Sequence, residues 1–217
     1  MDALFSDDDR QRIADAVEAA EAGSAAEIVP CVVVQSDDYP AARWRCGVVG
    51  ALLVLALGAL LRGLPLPLIG PYLTDALLLT VALGAGLLGA VVAGTAPPVI
   101  RALTPPDERT RAVARRATQA FVDEAVFDTR DRTGILLFVS LVEHRIEVLA
   151  DEGIDRAVDE TAWTDVTDRI RRGIEADRVT QGLLNGIAQC GILLEEVGPP
   201  ARPDGEDELS DRLRHDE

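Results

Sequence analysis

The chain contains no lysine, so all 21 basic residues are arginine, and 37 acidic residues outnumber them to give a net charge of −16. That balance repels phosphate backbones and excludes a nucleic-acid partner. Histidine is scarce as well: His144 falls at a predicted turn and belongs to no Cys or Ser motif, and His215 lies near the end of the chain. Cys31, Cys46 and Cys190 form no CxxC pair and sit in apolar surroundings, which predicts buried, reduced thiols and argues against a disulfide framework or a zinc site. Also missing are GxSxG, HExxH and the Walker loop, and with them the common hydrolase and P-loop signatures. The first ten residues are acidic, with Asp7, Asp8 and Asp9, and do not read as a signal peptide.

An acidic surface without lysine suits very salty water, where carboxylates hold hydration and the Debye length shrinks to about 3 Å near 1 M salt. A halophilic source is therefore expected. A GC-rich genome would account for Arg in place of Lys, but not for the acidic excess.

What the chain has in abundance is apolar residues, 48% of the total, and they are concentrated between Cys46 and Ile100. Cys46 to Leu61 carries no charge over 16 residues, roughly 24 Å of helix at 1.5 Å per residue. With Trp44 and Tyr39 as interfacial anchors and Arg45 and Arg62 reaching outward, the segment approaches the roughly 30 Å of a bilayer core. A second uncharged run extends from Ala76 to Ile100, with Gly84, Gly86, Gly89 and Gly94 as places for close helix approach. Pro65, Pro67, Gly70 and Pro71 predict a turn between the two runs, with Tyr72 at the interface. Neither run holds an ionisable residue, which argues against a transport path. Arg43, Arg45, Arg101, Arg109, Arg111, Arg115 and Arg116 flank the hairpin against Arg62 alone in its connection, and this bias predicts an inner-membrane protein with both termini and its soluble domain in the cytoplasm. The run from Arg109 to Arg116 is also placed to meet anionic lipid headgroups.

Outside the hairpin the periodicities change. Ser6 and Asp9 suggest a capping box before an amphipathic helix carrying Ile13, Val17 and Ala20. Glu27 to Gln35 reads as a strand buried on both faces, although Pro30 lacks a ladder donor and predicts an exposed edge or irregularity near its start. Glu108 to Phe127 has a helical stripe, Gly134 to Val142 a central strand, and Arg145 to Ala150 its antiparallel partner after a turn at Glu143 and His144. Two further helices follow, one through Trp163, Val166, Ile170 and Ile174, the other through Leu183, Ile187, Cys190 and Leu194. Residues 1–42 with 102–197 are thus expected to form one discontinuous α/β domain, 43–101 a transmembrane hairpin, and 198–217 an acidic flexible tail.

The order of these segments, with EIVPCVVVQSDDY early and TGILLFVSLVEHRIEVLADEGI from Thr133 to Ile154, resembles the TPM domain family, named after thylakoid-lumen, photosystem-associated and receptor-modulating relatives. More closely, it resembles bacterial membrane-embedded members with a hydrophobic hairpin inserted after the first strand. Glu208-Leu209-Ser210-Asp211 resembles the usual Asn-Glu-Leu-Pro-Asp ending without its Asn and Pro. The resemblance implies a small mixed sheet sandwiched by helices. Relatives are reported to bind divalent cations, to show weak acid phosphatase activity, or to assist assembly and repair of membrane complexes.

Hard cations need several oxygens converging at about 2.3 to 2.6 Å, and Glu27, Asp37, Asp38, Asp151 and Asp155 are the candidate ligands for Ca2+ or another divalent cation. They fall at the ends of strands predicted to share a sheet. The expected function is a membrane-anchored TPM-type interaction module that helps assemble or maintain a membrane protein complex, its partners being the lipid bilayer and a membrane protein. The alternative is a membrane-held, metal-dependent phosphatase.

Overall fold

A computed structural model of the chain describes residues 5–64, 72, 74–201 and 208–216. It divides into two compact units, residues 1–36 with 110–217, and residues 37–109.

The first unit is built on a four-stranded sheet. Helix α1 (Asp7–Glu21) begins as the sequence predicts: Ser6 Oγ accepts the Asp9 backbone amide at 3.1 Å, and the Asp9 carboxylate accepts the Ser6 amide at 3.2 Å. Strand β1 (Glu27–Val33) follows, buried throughout. Its parallel neighbour β2 (Gly134–Ser140) pairs with it at all seven positions, from Glu27 opposite Gly134 to Val33 opposite Ser140. Parallel strands require a crossover, and here that crossover contains the apolar hairpin and helix α5 (Pro106–Asp123). Strand β3 (Arg145–Ala150) then pairs antiparallel with β2.

Alternation divides the sheet's side chains between two helical layers. Ile28, Val32, Ile135, Leu137 and Val139 face a core shared with α1, α7 (Thr164–Glu175) and α8 (Val179–Val197). Val29, Cys31, Val33, Leu136 and Phe138 face Val113, Ala117 and Ala120 of α5. This is the expected small mixed sheet between helices. The α7–α8 contact depends on bare backbone, because a Cβ on Gly182 would lie 2.7 Å from the Gly173 Cα.

Pro30 is accommodated as its chemistry requires. Residues of β1 that point away from β2 alternate, and the first of them, Ile28, donates its amide to the Glu21 carboxylate. Pro30 is next, and β4 (Arg214–Asp216) pairs with β1 only from Cys31 to Val33. The missing donor therefore faces a stretch of edge that is unpaired among the described residues. β4 corrects the expected tail: residues 208–216 return to the sheet, with Leu213 buried in the main core. Acidic composition concealed a strand of three residues anchored by one buried leucine.

The second unit holds α2 (Pro40–Arg62) and α3 (Asp75–Thr95), both long and apolar enough to cross a membrane. The second apolar run does not continue to Ile100. Ala96 is extended, and Pro97 and Pro98 start a separate short helix, α4 (Pro97–Leu103). The two long helices pack through small residues: a Cβ on Gly47 would lie 2.7 Å from the Gly86 carbonyl oxygen, and one on Gly89 3.2 Å from that of Cys46. Of the four glycines singled out on α3, Gly84 faces open space and Gly94 lies under the Arg43 guanidinium. The turn prolines at 65, 67 and 71 lie outside the described residues. Arg62 and Asp75 form an ion pair at that end of the helices, while Arg45 pairs with Glu108 at 3.0 Å at the other.

Candidate functional site

Two carboxylates predicted as cation ligands lie at the same end of the sheet, on either side of β2. Glu27 opens β1, and its own amide donates to the Thr133 carbonyl at 3.2 Å. Asp151 follows β3, and its amide donates to the Gly134 carbonyl at 2.9 Å. Both side chains are buried, each about 5% exposed, and both already hold donors. The Glu27 carboxylate accepts the backbone amides of Glu208 at 3.2 Å and Leu209 at 3.3 Å. Asp151 is bound by the Arg132 guanidinium at 2.7 and 2.9 Å and caps the short helix α6 (Glu152–Asp155) by accepting the Glu152 amide at 2.8 Å.

The surrounding loop explains why the stretch from Thr133 to Ile154 has its pattern. Thr133 Oγ1 donates to the Ala25 carbonyl at 2.6 Å, and its amide donates to Thr129 Oγ1 at 2.8 Å. A Cβ on Gly134 would overlap the Val126 carbonyl, and one on Gly153 would lie 2.5 Å from the Asp131 carbonyl. These are requirements of close backbone packing.

The remaining three candidates are placed differently. Asp155 is exposed at the end of α6. Asp37 and Asp38 follow Ser36, after β1 has run its length away from Glu27; Asp37 accepts the Tyr39 amide at 3.2 Å and Asp38 is exposed. Among the described residues, no three His, Cys, Asp or Glu side chains form a group able to hold a metal. The five carboxylates do not fit a shared divalent cation: the two buried ones are taken up by backbone amides and an arginine, and no reaction step through a metal follows from them.

Sequence reading overlooked a third buried carboxylate. Glu143, about 3% exposed, accepts the Ser36 amide at 3.1 Å and the Ser140 hydroxyl, while the Ser36 and Ser140 hydroxyls are 2.7 Å apart. The arrangement ties the end of β1 to the β2–β3 turn. An acidic residue directly after a buried strand was the available signal. Ser140 is fully buried and is not presented to a substrate. Cys190 is equally enclosed, and burial pushes its thiol up to about 12, which makes it inert at neutral pH.

The second unit offers a surface of another kind. Leu52, Leu53, Leu83 and Leu87 are among many large apolar side chains left exposed on α2 and α3. Trp44 is 72% exposed beside them, as an interfacial anchor would be. Tyr39 is buried and does not serve as one.

The fold resembles the NMR structure of the BA42 protein from the psychrophilic bacterium Bizionia argentinensis, with a TM-score of 0.60 and 16% identity over 100% of this chain and 98% of that one. No curated protein matches the chain. The TPM domain family matches residues 99–192, a stretch that contains α5, β2, β3 and α7 and most of α8. Over that segment the chain resembles the TPM domain family.

Proposed function

We propose that the chain is a TPM domain anchored in a lipid bilayer by α2 and α3, which assists the assembly or maintenance of a membrane protein complex. One observation carries the anchoring: only 11% of the apolar window of either helix is buried within the structure. A core helix of a water-soluble protein buries most of its apolar surface, and exposed apolar patches larger than a few hundred Å² are rare without a partner or a membrane. The hairpin interrupts a crossover between two parallel strands, so both of its ends return to one folded domain. The arginine bias favours the cytoplasmic side for that domain.

An interaction role suits the rest of the chain better than hydrolysis does. Among the described residues, the buried acids Glu27, Glu143 and Asp151 are each committed to backbone or side-chain donors, and no three His, Cys, Asp or Glu side chains are grouped to hold a metal for phosphatase chemistry.

The test is membrane extraction followed by affinity isolation in mild detergent. The chain is expected to float with vesicles, to resist alkaline wash, and to bring down a membrane protein in fixed ratio. Replacing Leu53 and Leu83 by Arg adds about 2.5 to 3.5 kcal/mol each near a bilayer centre and should release the chain from the membrane. A parent protein that stays in the aqueous fraction without detergent would refute the anchoring, and one that purifies from detergent alone would refute the role in a complex.

A further inference from the structure

The face between α2 and α3 is unevenly filled. Toward the Arg62 end, the Leu78 side chain occupies the space above Gly58. Toward the Arg43 end, Gly47, Ala51, Ala82, Gly86 and Ala90 face one another with nothing bulky among them, and a groove of about 590 Å³ remains. Its walls are apolar apart from its mouth. There the Arg43 guanidinium lies along Gly94, beside the exposed Trp44. Arg45, two residues on, is neutralised by Glu108, whereas Arg43 makes no ion pair among the described residues.

We propose that this groove holds one acyl chain of an anionic phospholipid whose phosphate is bound by Arg43. The inference rests on the bilayer reading of the hairpin and adds a specific ligand to it. Length decides between a lipid and a partner helix. Along α2 the groove runs from Pro40 to Ala51, about 16 Å at 1.5 Å per residue, and along α3 from Val91 to Ala82, about 14 Å. Each is close to one leaflet, half of the roughly 30 Å hydrocarbon core. A crossing helix would need a track through both leaflets, and this groove ends at Ala51 and Ala82, near the middle of α2 and α3. A lipid needs one leaflet's depth, an apolar wall, and a cation at the headgroup level, where an arginine fork matches a phosphate.

The experiment uses the full-length chain in nanodiscs of equimolar phosphatidylcholine and phosphatidylglycerol, with brominated acyl chains on one lipid or the other. The reported signal is Trp44 fluorescence, obtained by subtracting the emission of a Trp44→Phe variant. Brominated phosphatidylglycerol is expected to occupy the site about fivefold more than brominated phosphatidylcholine at low salt, the ratio one arginine near a surface provides. Arg43→Gln should bring the two lipids level, and Ala51→Leu, which fills the groove, should remove the excess while leaving general quenching by surrounding lipid. Equal quenching by both lipids in the parent overturns the proposal, as does quenching that falls when two copies share a disc, which would give the groove to a second copy. Absence of quenching by either lipid would instead refute the bilayer reading itself.

Discussion

The carboxylate of Glu27 holds the backbone amide of Leu209 at 3.3 Å, across 182 positions of sequence. With the Glu208 amide beside it, the Arg130–Glu208 ion pair at 3.3 Å, and Arg214 on Glu124 at 3.1 Å, this contact makes the end of the chain a clasp across the sheet edge. Glu27→Ala removes a charged acceptor from two amides, and a hydrogen bond to a charged group contributes about 1.5 to 3 kcal/mol. Urea unfolding should show a loss of that order. Deleting residues 208–217 should also destabilise, and the two changes combined should cost less than their sum because they break one contact. Strict additivity would mean that the clasp does not depend on Glu27.

Gly182 sets the approach of α8 to α7. Replacing a helical glycine by alanine ordinarily gains about 1 kcal/mol from propensity. Here the new methyl would press on the Gly173 Cα, which is backbone and cannot rotate away. Overpacking costs about 1 to 3 kcal/mol and should outweigh the gain, so Gly182→Ala is expected to lower the melting temperature. Gly84→Ala, on a face with nothing within 4 Å, should not destabilise the hairpin.

Asp151 caps α6 and binds Arg132, and this structural work makes a clear prediction about cations. Asp151→Ala should cost about 0.5 to 2 kcal/mol through the lost cap. The loss should be the same with calcium or with chelator. A melting temperature that calcium raises in the parent protein and not in the variant would restore Asp151 as a ligand.

Glu147 gives stability a dependence on pH. Burial beside the sheet raises its carboxyl above the ordinary 4.5, with Arg145 opposing the shift. A raised acid binds more protons folded than unfolded, so its contribution is full below about 4.5 and is lost as pH rises through the folded value. Glu147→Gln should therefore stabilise the protein at pH 7 relative to the parent, and the difference should shrink as pH is lowered toward 4.5. Thermal melts across that interval, showing a constant difference, would contradict this.

Elements with strong periodicity were legible in the residues alone. Apolar positions in α1, α7 and α8 recur at helical spacing, and β1 and β2 are continuous apolar runs, so each specifies its own local geometry and its own buried face. The same holds for the α2–α3 hairpin, where uninterrupted apolar length is a property of composition. The end of the second run was less legible, because Pro97 and Pro98 are apolar on a hydropathy scale yet start a new helix.

The candidate ligands show the reverse. Sequence supplied Glu27, Asp37, Asp38, Asp151 and Asp155 as acidic residues near strand ends, but whether carboxylates converge depends on distances that no local pattern contains. Only the tertiary structure placed Glu27 against the amides of 208 and 209, turned Asp151 toward Arg132, and buried Glu143 under two serines. The C-terminal strand was hidden for the same reason. Three residues have no periodicity of their own, and β4 exists because β1 presents an open edge and a buried acid holds the segment that leads to it. Residue spacing along the chain determined which segments are helices, strands and apolar spans, since those depend on neighbours a few residues away. Contacts between segments distant in sequence, such as Glu27 with the amide of Leu209 and Glu143 with the amide of Ser36, were settled by the packing.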